Sequence, residues 1–232
     1  MAANTYWQLE KEYYMIASDA DLIIRVIEHE EVTRIEGLDT NAHAVTESKP
    51  TKIHEYKVKR EVLSNSGTYF RKLLSDGNFK ESEQSTIDLH EDGKGSATGM
   101  TIWFKILHDA VDESTYQVST DGIWYMLAAA HKYGFDPKTE EAKAWFEKWY
   151  ATQTSGTERS FDYKEHQALL FPCYTFDHAQ GFRTATKYLV YRATGHIVER
   201  RPTGFAYEHL RMDQNILRKS SESYLLYPIF IA

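Results

Sequence analysis

Val58-Lys-Arg-Glu-Val-Leu-Ser-Asn-Ser-Gly-Thr-Tyr-Phe70 is the stretch at which the chain changes its period. Just upstream, Lys52-Ile-His-Glu-Tyr-Lys-Val58 alternates in steps of two, as a half-buried strand does. From Lys59 onward, Val62, Leu63, Ser66, Tyr69, Phe70, Leu73 and Leu74 recur at steps of three and four, which places them on one helical face. Gly67 interrupts that face and predicts two short helices with a bend, ended by Asp76-Gly77.

Working outward, Asp21-Leu-Ile-Ile-Arg-Val-Ile27 is apolar and β-branched, the composition of a strand. Residues 1–17 read as an ordered lead-in, with Tyr6, Trp7, Tyr13 and Tyr14 among charges. The polar run from Glu28 to Pro50 reads as a long loop holding one extra strand near Val32–Ile35. Downstream, Thr86-Ile-Asp-Leu89 is a short strand and the stretch from Gly93 to Gly99 a flexible connection. Helices follow: one on Met100, Trp103, Phe104 and Leu107, then one from Asp121 to Tyr133, capped by Ser119 or Thr120 and stopped by Gly134. Asp136-Pro137 resembles a cap with proline in the first turn of a helix bearing Ala142, Trp145, Phe146 and Trp149. The remainder reads as helices at Tyr163–Tyr174, Ala179–Arg192 (closed by Gly195) and Asp213–Ser221. The apolar end, Tyr224 to Ala232, is expected to dock against the tail helices. The fold class is therefore α+β: a small three- or four-stranded sheet packed on helices, followed by an α-helical tail.

Lys+Arg and Asp+Glu number 27 and 34, a net charge of −7, which argues against a general affinity for nucleic acid or anionic membrane. One cysteine, Cys173, excludes an internal disulfide and a cysteine-rich zinc site and suits a reducing compartment. No signal peptide is readable at the start, and no apolar run is long enough for a membrane span, so the expected location is intracellular, cytoplasmic or nuclear.

The order strand, strand, helix pair, strand, helix, helix resembles the BTB/POZ family. Asp21-Leu-Ile-Ile24 is similar to that family's opening strand. The stretch from Val58 to Phe70 is similar to its helix-hairpin signature, with Lys59 where a histidine is usual. Phe79-Lys-Glu-Ser82 and Leu127-Ala-Ala-Ala-His-Lys-Tyr133 match further segments, and Phe176-Asp-His-Ala-Gln-Gly-Phe182 resembles the helical tail of a fungal BTB subfamily. The resemblance implies a BTB/POZ domain over residues 16–136 and a helical extension over 137–232. It implies a non-catalytic protein-interaction scaffold that forms a homodimer and presents an unidentified client protein or joins a cullin-type ubiquitin ligase as substrate adaptor. The rival is a structural or transcription-linked oligomerisation module without a ligase role.

The resemblance also nominates four protein-binding residues. Asp21 and Arg60 match a charged pocket at the family's dimer face; the alternative is a buried pair that fixes how the first strand meets the helix. Phe79 and Glu81 match a hydrophobic-x-Glu element that binds cullin; the alternative is a ring covering the sheet edge beside a solvated carboxylate. The Ile106-Leu-His-Asp-Ala110 segment lacks the family's common Tyr-Thr-Gly, which counts against the cullin role.

Other constellations read as structural. Trp103, Trp124, Trp145 and Trp149 stand at helical spacing and read as core rather than base-stacking platforms. The ten histidines include no i, i+4 pair and no His-Glu-x-x-His, so no metal site is expected. Cys173 has no basic neighbour to make it a thiolate. The residues after Gly93 lack the phosphate-loop order, and no nucleophile elbow is present, so neither a catalytic residue nor a cofactor is expected.

Overall fold

The computed structural model describes residues 9–36, 43–75, 79–93, 95–155, 161–192 and 196–217. Among these, strands β1 (Glu10–Met15), β2 (Leu22–Glu36), β3 (His43–Val58) and β4 (Thr86–Asp92) form one sheet in the order β1-β3-β2-β4. β2 and β3 are antiparallel, whereas β1 runs parallel to β3 and β4 parallel to β2. The helices are α1 (Arg60–Ser66), α2 (Thr68–Leu74), α3 (Ser96–Leu107), α4 (Thr120–Tyr133), α5 (Glu140–Thr154), α6 (Tyr163–Thr175) and α7 (Ala179–Arg192). The chain is α+β, as its sequence predicts. No helix among the described residues is long and apolar enough to cross a membrane.

The chain divides into two compact units, Met1–Val111 with His131–Phe135, and Asp112–Ala130 with Asp136–Ala232. The chain passes between them at Val111–Asp112, within α4 at Ala130–His131, and at Phe135–Asp136.

In the first unit, period-two alternation puts Leu22, Ile24 and Val26 of β2, Tyr56 and Val58 of β3, and Ile87 and Leu89 of β4 on one buried face. Against it lie Leu63 of α1, Phe70 and Leu74 of α2, and Met100, Trp103 and Phe104 of α3. Phe70 stacks on Tyr133 and on Phe135, with centroids 5.5 and 5.8 Å apart, which seats the end of α4 against the helix pair. Gly67 separates α1 from α2 with extended backbone, and the position takes glycine because a Cβ there would stand 2.8 Å from the Tyr133 carbonyl oxygen.

Three expectations need correction. The Glu28–Pro50 run is strand over its described residues: β2 continues through the expected strand at Val32–Ile35 to Glu36, and β3 begins at His43, pairing Val32 with Glu47 and Thr33 with Thr46 in a two-stranded ribbon. Neither face of that ribbon carries an apolar row, so the alternation that reveals a strand is missing. Pro50, which donates no hydrogen bond, sits opposite His29 at the register irregularity, where a proline is tolerated. The connection after Gly93 is shorter than expected, because α3 starts at Ser96. Finally, Asp136-Pro137 forms a turn, with Asp136 accepting from the Lys138 amide (2.9 Å), and the cap of α5 is Thr139, which accepts from Ala142 (3.3 Å).

In the second unit, Trp124 is completely buried, and its Nε1 donates to the Ala168 carbonyl at 2.9 Å. Pro172 stands inside α6 and has no N–H to offer that same carbonyl four residues earlier. The tryptophan thus supplies the hydrogen bond that the proline removes. Phe146 and Phe176 stack at 4.4 Å, and Leu170, Ala185, Leu189, Ile197, Met212 and Leu217 close a second cluster. Ser119 accepts from the Gly122 amide and caps α4, as expected, and Gly134 follows it with φ +73°. The helix expected from Asp213 begins there: residues 214–217, the last described, are helical, and the Asp213 carbonyl accepts from the Ile216 and Leu217 amides. Tyr6, Trp7, Asp76-Gly77, Gly195 and the Tyr224–Ala232 docking lie outside the described residues.

Candidate interaction surface

The four nominated residues belong to one chain of hydrogen bonds in the first unit. Asp21 Oδ1 accepts from the Arg60 backbone N–H at 2.8 Å, which satisfies an orphan donor at the start of α1 and places a negative charge at its positive end. The Lys59 N–H before it donates to His108 Nε2 at 3.0 Å, while His108 Nδ1 reaches the Phe104 carbonyl at 2.8 Å. Lys59 pairs with Asp19 at 2.5 Å.

The Arg60 guanidinium turns away from Asp21. It donates to the carbonyls of Ser82 (3.0 Å) and Gln84, the exit of a 3-10 turn spanning Lys80–Glu83. That turn follows Phe79, whose ring is 52% exposed, and carries the half-buried Glu81. Ser82 closes the turn by donating its hydroxyl to the Phe79 carbonyl at 2.7 Å. Asp21 is exposed, so the pair is neither buried nor joined charge to charge.

On the opposite edge of the sheet, β1 presents Tyr13 and Met15 at 70% and 64% exposure. Its other face is anchored by a polar cluster that sequence reading missed. Glu28 is 7% exposed and reaches across from β2 to the start of α3, where Oε1 accepts from the amides of Gly95 and Ala97, both at 3.1 Å. Oε2 lies 3.6 Å from Nε2 of buried His54 on β3, and His54 Nδ1 lies 3.2 Å from Glu12 Oε2 on β1. Tyr14 donates to Glu12 at 2.5 Å and stacks on Tyr56 at 4.7 Å, and Lys52 holds the other Glu12 oxygen at 2.5 Å.

Burial pushes the Glu28 carboxyl up, but His54 and the α3 amides more than offset this and leave it below the ordinary carboxylate value. For Glu12, the Lys52 and Tyr14 hydrogen bonds hold the carboxyl low. The cluster thus ties three strands and a helix N-terminus together through charge. The only sequence signal was Glu28 at the start of a run read as polar and His54 inside the stretch read as a strand.

In the second unit, the Phe176-Asp-His-Ala-Gln-Gly segment is a helix start. Asp177 takes φ +57°, and His178 Nδ1 accepts from the Gly181 amide at 3.0 Å, capping α7. Position 181 admits only glycine, because a Cβ would meet His178 Nδ1 at 2.3 Å and Cys173 Sγ at 2.8 Å. Glu147 faces His178 Nε2 at 2.8 Å. Cysteine, histidine and glutamate do converge here, but burial drives the Cys173 thiol far above its ordinary value and keeps it protonated. The His178 nitrogen that could act as a base is already occupied by the cap. Among the described residues, no group of three His, Cys, Asp or Glu is placed to hold a metal ion.

Compared with known proteins, the chain matches no family model and no curated protein.

Proposed function

We propose that the chain is a BTB/POZ-type interaction scaffold that self-associates through its first unit. The observation that carries this reading is β1, an edge strand among the described residues, which places Tyr13 and Met15 in solvent. Support also comes from element order: an antiparallel strand pair, a helix pair, a strand returning parallel to β2, then helices. A two-fold dimer would bury the two rings and thioethers against their copies. Light scattering over a concentration series tests this. The expected result is a dimer that becomes monomeric in Tyr13→Lys/Met15→Lys with unchanged circular dichroism. A parent chain that is monomeric at every concentration removes self-association.

A second reading, substrate adaptor for a cullin-type ubiquitin ligase, is favoured by the exposed Phe79 ring beside Glu81 on a turn pinned by Arg60. An exposed ring with an adjacent carboxylate forms a compact anchor. Phe79→Ala/Glu81→Ala is expected to abolish binding to a purified cullin N-terminal region and to leave thermal stability unchanged. Binding of unaltered affinity in that variant, or none in the parent, leaves the plain oligomerisation module.

A further inference from the structure

The solvent side of α7 carries cations and tyrosine and no carboxylate. Gln180, Arg183, Thr184, Lys187 and Tyr191 form one exposed stripe, while Gly181, Ala185, Thr186 and Leu189 face the core. Arg192 lies over the Tyr188 ring at 4.4 Å, and that ring packs on buried His166 at 4.0 Å, so it is held in place. Tyr191 is 57% exposed. These side chains line a surface cavity of about 820 Å³. None of the ion pairs among the described residues uses Arg183, Lys187 or Arg192.

We propose that this face of α7 docks an acidic peptide segment of a partner protein, with an aromatic or aliphatic side chain seated beside Tyr188 and Tyr191. Three cations and two rings on one short helix select for a ligand that combines negative charge with an apolar anchor. The size of the patch decides against larger anions. α7 has 14 residues and is roughly 21 Å long, while the whole chain carries −7. A nucleic acid or a membrane surface extends well beyond such a patch and meets net repulsion, whereas a short peptide stays within it. The surface is independent of the BTB-type reading, since it lies wholly in the second unit.

Fluorescence anisotropy with the full chain tests the proposal, using a labelled random copolymer of glutamate and tyrosine as the probe. Saturable, salt-sensitive binding is expected. It should weaken about tenfold or more in Arg183→Glu/Lys187→Glu, whose positions are exposed, so circular dichroism should not change. Tyr191→Ala should lower affinity for the copolymer while leaving affinity for polyglutamate, which has charge but no ring, unaltered. Equal binding by the charge-reversed variant overturns the proposal. Tighter binding of single-stranded polyadenylate also overturns it and makes the face a nucleic-acid surface.

Discussion

Asp21 and Arg60 are joined through the arginine's backbone, not through its charge: the carboxylate accepts from the Arg60 amide, and the guanidinium serves the carbonyls of Ser82 and Gln84. One residue therefore does two separable jobs. Its amide is capped by the residue just before β2, and its side chain positions the turn after Phe79.

Replacing the guanidinium separates the two. Arg60→Ala is expected to cost roughly 1–2 kcal/mol, through two lost charge-assisted hydrogen bonds on a partly exposed site, and to speed amide exchange in residues 80–85. Asp21→Asn, which keeps an acceptor oxygen, should be milder. Exchange at the turn unchanged in Arg60→Ala would show that Arg60 does not hold it.

Glu28 is predicted to be the most sensitive polar position in the first unit. Glu28→Ala leaves two α3 amides and His54 without their partner and should cost about 2–4 kcal/mol, measured by urea unfolding. Glu28→Gln retains an acceptor but loses the charge, so it should fall between the two. A loss below about 0.5 kcal/mol in the alanine variant, the level of an ordinary surface substitution, would refute this.

The link between Trp124 and Pro172 calls for a double-mutant cycle. Trp124→Phe keeps most of the ring but orphans the Ala168 carbonyl, at a cost of about 1–3 kcal/mol. In a Pro172→Ala background the restored N–H takes over that carbonyl, so the same change should cost less. Additive effects would mean that the tryptophan bond and the missing proline donor are unrelated.

Acid should destabilise the fold from near neutrality downward. Burial lowers His29, His108 and His166 below the ordinary 6.5, with the neighbouring His90 adding to the effect at His29. Between the folded and unfolded values the unfolded chain binds more protons, so their contribution is complete above about pH 6.5 and is lost as pH falls below it. Glu12 and Glu28, also lowered, add a second loss below about pH 4.5. Glu199, raised by burial, acts with the opposite sign. A melting temperature that rises from pH 7 to pH 5 contradicts this balance, and His108→Ala should flatten the slope in that interval.

Cys173 is expected to resist a thiol reagent in the native chain and to react at once in denaturant, since it is 1% exposed and held protonated. Gly181→Ala forces a Cβ into the cap and against that sulfur. It should cost on the order of 1–3 kcal/mol and bring the thiol within reach of the reagent.

Much of this architecture follows from spacing alone. The alternation through Leu22, Ile24 and Val26, the helical rows through Leu63, Phe70 and Leu74, and the buried tryptophans are each a local pattern with one solution. Only the Val32–Ile35 part of the ribbon was legible, because its partner stretch from His43 to Pro50 carries no apolar row. Glu28, His54 and Glu12 escaped notice because 26 residues separate the first two and 42 the outer two, and nothing local marks them as partners.

The sequence by itself determined the helices, the apolar strand segments, the α+β class and most of the residues that bury, because periodicity acts within a few positions of the chain. Only the tertiary structure decided what each polar side chain meets: that Arg60 holds a turn instead of Asp21, that Trp124 repairs the gap left by Pro172, and that His178 caps a helix beside Cys173. The first two pairings join residues 22 or more positions apart, and even the local cap at His178 depends on ångström-scale hydrogen-bond placement that composition does not encode.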